Sequence, residues 1–301
     1  MGGMRFAQFV GRAAMALVIV FAAACGSSAP AGPAIKSTVV MGFVPSQTTS
    51  VVQTNADLIA QYLSKKTGYT VESHVLTSYA AVTEGMTSNQ VDIGWVGPLD
   101  YVIAHKKNGA EAVTKSVRNG VAGYKAFIIV NKASGIRSVQ DLKGKKFAFG
   151  DPLSTSSNLV PRYAMKQSGM NPDSDVRGVN ISNQSQIAIN VCQGVVDAGA
   201  IYDDARKNAG VDTSCPGVMD KTQIIYTSDL IPGDPQMLRH NLNSEQKKKL
   251  RDAMIALGSD PSMKDPLKSL YTIEALVPAS DGDYKFVRDL VQNVKPELLN
   301  G

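Results

Sequence analysis

A run of three hydroxyl side chains stands between a predicted strand and a predicted helix. Ser154, Thr155 and Ser156 follow the apolar strand of residues 146–150 and precede the helical pattern of residues 159–167. Hydroxyls at the positive end of a helix, together with the unpaired N–H groups of its first turn, can donate hydrogen bonds to the oxygens of an anion. Such neutral donors need no buried lysine or arginine beside them. The segment therefore predicts an oxyanion cradle; the alternative is a helix cap, which needs only one hydroxyl.

The elements that would position this cradle alternate between strands and helices. Apolar runs predict strands over residues 39–44, 70–76, 91–96, 125–130, 146–150, 179–181, 196–201 and 222–226. Helical periodicity predicts helices over residues 57–66, 80–86, 99–106, 138–144, 159–167, 186–192, 244–257 and 283–291. Because strands alternate with helices, we expect an α/β fold with a largely parallel sheet.

The alternation restarts near residue 138, which predicts two lobes of ordinary domain size. We assign residues 38–124 together with 231–301 to lobe 1 and residues 125–230 to lobe 2. A chain that crosses twice between lobes can form a hinge, and the cleft between the lobes is the default position for a ligand.

The N-terminus predicts export. Residues 1–24 carry Arg5 and Arg12 and then an apolar run too short to be a permanent membrane span, as in a signal peptide. Small residues before Cys25, and a Gly/Ser/Pro-rich linker over residues 25–37, resemble the lipobox of bacterial lipoproteins, which implies acylation of Cys25. We expect an extracytoplasmic protein anchored by lipid to the cell membrane, in the periplasm or on the outer face of the cytoplasmic membrane. The alternative is a secreted protein with a free Cys25.

Two further cysteines, Cys192 and Cys215, form an even pair in an oxidising compartment. Such a pair predicts a disulfide. The alternative is two unrelated buried thiols, because sequence alone does not fix the pairing.

Composition argues against several classes of function. The net charge of +5 falls to +3 without Arg5 and Arg12, and the longest basic run is Lys247-Lys248-Lys249, so we expect no nucleic-acid partner. With three histidines in the chain, we expect no metal site. The sequence has no Gly-x-Ser-x-Gly, P-loop, His-Glu-x-x-His or Cys-x-x-Cys motif, which disfavours an enzyme.

Five motifs resemble, in order, those of the phosphonate/phosphite/phosphate-binding proteins of the PhnD family. They are Tyr79-Ala-Ala-Val-Thr-Glu-Gly-Met, Val91-Asp-Ile-Gly-Trp-Val-Gly-Pro, Asp151-Pro-Leu-Ser-Thr-Ser, Val196-Asp and Leu230-Ile-Pro-Gly-Asp-Pro. The resemblance extends from about Val39 to the helix near Leu257. It implies a two-lobed, type II periplasmic-binding-protein-like fold without a cofactor, which captures a phosphorus oxyanion in the cleft between its lobes and delivers it to an ABC permease.

The resemblance also implies roles for individual residues. Ser154, Thr155 and Ser156 would bind the phosphonate or phosphite oxygens. Tyr79 matches the tyrosine that closes on the ligand from lobe 1, and Tyr124 matches a second tyrosine of the cleft. The alternative for both tyrosines is a place in the core, where each phenol needs one internal partner.

Four other positions complete the predicted site. Asp234 matches the aspartate of the family's Ile-Pro-x-Asp-Pro motif, and Asp204 falls where aminophosphonate binders place an acid for the ligand's amine. Two departures matter: Asp204 is shorter than the family's glutamate, and Gln184 stands where the family often has histidine. Val96 ends a strand and could line the cleft or pack in the core.

Asp234 bears on the choice of ligand. An ionised carboxylate only accepts hydrogen bonds, so an unpaired Asp234 favours a ligand that keeps a P–OH and disfavours sulfate. The alternative is a structural role in the Gly-Asp-Pro turn.

Two functions of different kinds fit these observations. The first is a transport receptor that hands its ligand to a membrane permease. The second is a ligand-sensing or enzyme-like extracytoplasmic protein on the same fold. Conversion of the bound phosphorus compound would distinguish an enzyme from a receptor.

We predict that Cys25→Ala abolishes lipid labelling of the protein, because the lipobox resemblance makes Cys25 the acylated residue. The measurement is metabolic labelling with a fatty-acid analogue in the native host, compared with the unaltered chain. Unchanged labelling of the variant would contradict the anchor.

Overall fold

The computed structural model describes residues 37–299 of the 301-residue chain. The predicted export signal of residues 1–24, Cys25 and the linker up to residue 36 lie outside the described residues. The positions that the resemblance assigns to the ligand all lie within them.

Thirteen strands can be described between residues 37 and 299. They are β1 (Thr38–Phe43), β2 (Thr70–Val75), β3 (Ile93–Trp95), β4 (Glu111–Val117), β5 (Gly123–Tyr124), β6 (Ala126–Asn131), β7 (Lys146–Phe149), β8 (Arg177–Asn180), β9 (Ala198–Tyr202), β10 (Thr222–Thr227), β11 (Ile231–Pro232), β12 (Pro235–Leu238) and β13 (Ala275–Pro278).

The same range contains ten α-helices. They are α1 (Thr49–Thr67), α2 (Tyr79–Thr87), α3 (Pro98–Asn108), α4 (Val160–Gln167), α5 (Gln184–Cys192), α6 (Val211–Ser214), α7 (Val218–Lys221), α8 (Ser244–Ser259), α9 (Lys264–Ser269) and α10 (Lys285–Val294). Short 3₁₀ turns connect several of them, and the predicted helix over residues 138–144 is one such turn, Gln140–Leu142.

The strands form two mixed sheets and one short ribbon. Sheet 1 has the order β13-β4-β12-β3-β1-β2, and sheet 2 has the order β10-β6-β9-β7-β8. In sheet 1 the strands β2, β1 and β3 run parallel, while β12, β4 and β13 pair antiparallel. In sheet 2 the strands β8, β7 and β9 run parallel, while β6 and β10 pair antiparallel.

The expected α/β class is confirmed, but the largely parallel sheet is wrong. Sequence reasoning missed the antiparallel strands β4, β12 and β13 of sheet 1 and the two short strands of the ribbon, β5 and β11. Polar residues interrupt β4, and prolines begin β12 and end β13. Proline is tolerated in β13 because that strand lies at the edge of sheet 1.

The chain passes between the two sheets next to the ribbon. Strands before residue 118 and after residue 234 belong to sheet 1, and those between residues 126 and 227 belong to sheet 2. The remaining strands β5 and β11 pair with each other, with Tyr124 opposite Ile231. Both connections between the sheets therefore run side by side.

Two clusters of buried apolar side chains pack against the sheets. Phe43, Trp95 and Leu99 are buried in a large cluster that extends across the described chain, and Phe147 and Phe149 belong to a second cluster beneath sheet 2. At the end of α5 a disulfide joins Cys192 to Cys215, with their Cα atoms 6.4 Å apart.

A carboxyl group is buried at the beginning of α3. Asp100 is fully buried, and its Oδ1 accepts a hydrogen bond from Thr83 Oγ1 at 2.5 Å. Burial raises the pKa of Asp100 from 3.8 to about 8, the Thr83 hydrogen bond opposes that rise, and the Asp151 carboxylate adds to it. The folded protein therefore holds this proton more tightly than the unfolded chain does.

We predict that this carboxyl makes the protein less stable as pH rises from about 4 to about 8. The proton of Asp100 is bound in the folded state and lost from the unfolded state over this range, so unfolding free energy should fall by up to about 1.4 kcal/mol per pH unit. Asp100→Asn keeps an acceptor for Thr83 and should remove this contribution. Urea unfolding between pH 4 and pH 8 measures it.

The control for this series is Asp252→Asn, because Asp252 lies in an exposed ion pair with Lys248 on α8. It should leave the pH dependence unchanged. Identical slopes for Asp100→Asn and the unaltered protein would show that Asp100 is ionised in the folded state at neutral pH.

Candidate functional site

A small enclosed cavity brings the predicted residues together. Its volume is about 30 Å³, and elements of both sheets contribute to its walls. The predicted residues that line it from segments joining strands of sheet 2 are Ser154, Thr155, Ser156 and Gln184. Those that line it from the ribbon and the segments of sheet 1 are Tyr79, Val96, Tyr124 and Asp234. Only small solutes fit such a volume.

The hydroxyl cradle follows β7 and begins with a close backbone turn. A Cβ atom at Gly150 would lie 1.7 Å from Ser157 Oγ, so only glycine fits there. Residues Thr155–Leu159 form a turn of π-helix that continues into α4, and Ser154 is its N-cap. Ser154 Oγ accepts hydrogen bonds from Ser157 N at 3.3 Å and Ser157 Oγ at 2.7 Å. The Ser154 hydroxyl keeps its own proton to donate, and the Tyr79 phenol is one acceptor within its reach.

The other two hydroxyls are also placed to donate. Thr155 Oγ1 accepts a hydrogen bond at 2.8 Å from the N–H of Leu99, in the first turn of α3. This bond leaves the Thr155 proton free. The hydroxyl of Ser156 bonds to no other residue in the described part of the chain, and Ser156 is buried. Three buried hydroxyl donors therefore line one wall of the cavity.

Two buried tyrosines line the cavity. Tyr79 begins α2, where its N–H donates to Asp151 Oδ2 at 3.4 Å. Burial raises the pKa of Tyr79, and the Asp151 carboxylate adds to the rise. Burial likewise raises the pKa of Tyr124, which ends β5. Both phenols are neutral at physiological pH and can donate a hydrogen bond.

Gln184 contributes an amide. Its Oε1 accepts from the backbone N–H of Tyr202 at 2.7 Å, and the backbone N–H of Gln184 donates to Ser46 O at 2.9 Å. Because the Tyr202 N–H requires an acceptor, the oxygen of the amide must face it and Nε2 is the other end. The Nε2 group of Gln184 is therefore a neutral donor on a residue that lines the cavity.

Asp234 lies in the cavity wall, but it is paired. Its Oδ2 accepts from Arg118 Nη2 at 2.6 Å, and both side chains are largely buried. The expectation of an unpaired carboxylate facing the ligand therefore does not hold. The cradle does have a buried arginine beside it, against expectation.

The structure does not bring Asp204 into the cavity. Its carboxylate forms a bidentate ion pair with Arg206, with distances of 2.9 Å to Nε and 2.7 Å to Nη2. Both side chains are buried, and Arg206 Nη1 also donates to Thr222 Oγ1. An arginine two residues along the chain is a closer partner for Asp204 than a ligand amine.

Sequence reasoning missed several residues that line the cavity, among them Arg118, Tyr202 and Trp95. Trp95 stacks on Phe43 with ring centroids 5.3 Å apart. Its indole Nε1 has no hydrogen-bond partner among residues 37–299. Arg118 follows a polar strand without a motif of its own, so no local signal pointed to it. Within the same range, no three His, Cys, Asp or Glu side chains are grouped to hold a metal ion.

The fold and the enclosed, donor-rich cavity are those of a type II periplasmic binding protein. The sequence model of one family, described as the periplasmic substrate-binding protein of an ABC phosphonate transporter, matches residues 41–284. This match covers most of the chain. The chain therefore belongs to this family of periplasmic substrate-binding proteins.

Individual proteins agree with this assignment. The phosphonates-binding periplasmic protein of Escherichia coli K12 is 32% identical over 216 residues, which cover 70% of this chain and 63% of that protein. The phosphate-import protein PhnD of Mycolicibacterium smegmatis is 27% identical over 96% of this chain and 97% of its own length. The crystal structure of a binding-protein component of an ABC phosphonate transporter from Pseudomonas aeruginosa is similar to this one, with a TM-score of 0.76. The two sequences are 28% identical, and the match covers 84% of this chain and 85% of that one.

We predict that Thr155→Ala weakens binding of phosphite or methylphosphonate by about 1.5 to 3 kcal/mol, the usual loss for a hydrogen bond to a charged group. Thr155→Ser keeps the hydroxyl and is the matched control, with binding expected within a few-fold of the unaltered protein. Calorimetric titration measures both, and circular dichroism checks the fold. If Thr155→Ala binds like Thr155→Ser, the hydroxyl serves only to cap α3.

Proposed function

We propose that this protein captures a small phosphorus oxyanion, a phosphonate, phosphite or phosphate, and delivers it to an ABC permease without chemical change. The supporting observation is the buried wall of Ser154, Thr155 and Ser156, which shares one cavity with Tyr79 and Tyr124. Many neutral donors around a small enclosed volume suit a tetrahedral oxyanion, because each oxygen can accept more than one hydrogen bond. The same wall offers no nucleophile paired with a base, which favours a receptor over an enzyme.

The charged side chains in and near the cavity limit which phosphorus oxyanions suit it. Asp234 is the acidic side chain in the wall, and it pairs with Arg118. Asp204, the expected partner of a ligand amine, pairs with Arg206 outside the cavity. An ammonium group would therefore enter without a free carboxylate. A phosphorus oxyanion without an amine, such as phosphite, methylphosphonate or phosphate, is the better ligand.

We further propose the two predicted lobes, residues 38–124 with 231–301 and residues 125–230, as the bodies that open and close. The ribbon of β5 and β11 supports this division, because it lies beside both connections between the sheets. Two adjacent connections can bend together, as a hinge requires.

The family is extracytoplasmic, and we propose that a lipid on Cys25 holds this member at the membrane. The small residues before Cys25 and the Gly/Ser/Pro-rich residues after it support the proposal. Within the described part of the chain, no helix has the length and apolar character to cross a membrane.

Calorimetric titration of the body after Cys25 tests the ligand class. We expect at least one of phosphite, methylphosphonate and phosphate to bind tenfold or more tighter than 2-aminoethylphosphonate, because the amine has no acid to meet. Asp204→Asn should leave every dissociation constant within a few-fold. Tight binding of 2-aminoethylphosphonate that is lost in Asp204→Asn would contradict this choice.

Two further measurements complete the test. Sulfate has no proton at neutral pH, whereas the phosphorus ligands can keep a P–OH for Asp234 Oδ1, the oxygen that does not accept from Arg118, so sulfate should bind more weakly than the phosphorus ligands. Sulfate binding of equal strength would contradict phosphorus selectivity. Phosphorus-31 resonance of the bound ligand, followed for hours, should show no product; turnover would favour the enzyme-like alternative.

A further inference from the structure

A buried guanidinium forms part of the cavity wall. Arg118 follows β4, and its side chain is 3% exposed. Burial by itself would lower the pKa of Arg118, but the Asp234 carboxylate raises it, so the group stays charged. The guanidinium carbon also lies 5.1 Å from the centroid of the Tyr124 ring. A full positive charge thus sits next to the space where an anion would bind.

Two of the three guanidinium nitrogens of Arg118 have hydrogen-bond acceptors, and the third has none among residues 37–299. Nε donates to Tyr271 O at 2.7 Å, and Nη2 donates to Asp234 Oδ2 at 2.6 Å. Nη1 is buried and donates to no residue between 37 and 299. A buried donor without an acceptor costs free energy, more so when it is charged. Arg118 is among the residues that line the cavity, so an oxyanion bound there could supply the missing acceptor.

Resting on the proposed function, we propose that Arg118 Nη1 donates a charge-assisted hydrogen bond to an oxygen of the bound oxyanion. Asp234 is then a positioning residue that fixes the guanidinium through Nη2, while Tyr271 O fixes it through Nε. The neutral hydroxyls of Ser154, Thr155 and Ser156 in the same cavity orient the ligand, and Arg118 supplies the positive charge. The charges of Arg118 and Asp234 cancel, so this ion pair adds no net charge to the cavity before an anion enters.

A purely structural Arg118 is the rival explanation. In that case it would serve only to neutralise Asp234, and removing it would weaken anion binding because an unpaired carboxylate would remain. A single Arg118 variant cannot separate the two roles. Removing both charges can, because it leaves no carboxylate to repel the ligand.

The experiment is a double-mutant cycle of Arg118→Gln and Asp234→Asn, with phosphite and methylphosphonate as calorimetric probes. We expect Arg118→Gln with Asp234→Asn to bind at least tenfold more weakly than Asp234→Asn alone, since the two proteins lack the carboxylate equally and only the double variant lacks the charged donor. Equal affinity of these two proteins would overturn the proposal and leave Arg118 as a counter-ion. The double variant also guards against misfolding, because it buries no unpaired charge.

A matched control removes a buried arginine elsewhere. Arg239 pairs with Asp92 through Nε at 2.5 Å and does not line the cavity. Arg239→Gln should lower thermal stability but leave dissociation constants within about twofold. An equal loss of affinity in Arg239→Gln would overturn the assignment to Arg118 by showing a general effect of destabilisation. Failure of the unaltered protein to bind any panel ligand would instead overturn the proposed function.

Discussion

The buried ion pair between Arg118 and Asp234 is the interaction on which the rest of the site depends. Either charge alone in the interior would cost several kcal/mol, so the segments that carry them must meet. Arg118 follows β4 and Asp234 precedes β12, and these strands pair in sheet 1. A Cβ at Gly233 would lie 2.1 Å from Ser116 O, so glycine permits the close approach that seats Asp234. The pairing of β4 with β12 therefore brings Arg118 and Asp234 together, and the ion pair in turn stabilises that pairing.

The same guanidinium constrains a distant loop. Tyr271 supplies the carbonyl that accepts from Arg118 Nε, and its phenol donates to Val44 O at 2.5 Å. Tyr271 and Thr272 have φ values of +57° and +58°, which residues other than glycine rarely adopt. Strained backbone of this kind persists only where surrounding contacts determine it. Here the contacts are those that orient the charged group beside the cavity.

Hydrogen bonds also join the two sides of the cavity. Thr155 Oγ1 accepts from the Leu99 N–H, Gln184 N donates to Ser46 O, and Gln47 Nε2 donates to Tyr202 OH at 2.7 Å. Each bond links a segment of sheet 1 to a segment of sheet 2. The oxygen of Thr155 therefore accepts a hydrogen bond that joins the two sides of the cavity, while its hydroxyl proton can still be donated to a ligand.

The sequence allowed much of this arrangement to be predicted, where local pattern determines it. Apolar runs located the parallel strands, and short motifs located the cradle after β7 and the tyrosine at the start of α2. Strands β4, β12 and β13 were missed because polar residues or prolines interrupt their patterns, and sheet neighbours determine them. Arg118 was missed for a related reason. Its partner Asp234 lies 116 positions away, so only the folded chain shows the pair.

Two buried aspartates, each paired with an arginine, show why residue type alone does not locate a site. The Asp204 and Arg206 pair is local, and Arg206 directs its third nitrogen to Thr222 Oγ1, so every nitrogen has a partner. In the Asp234 and Arg118 pair, Nη1 is left without one among the described residues. The first pair is complete and needs nothing further. The second lies in the cavity wall with a charged donor to spare, and that unmet hydrogen bond distinguishes a binding site from a structural ion pair.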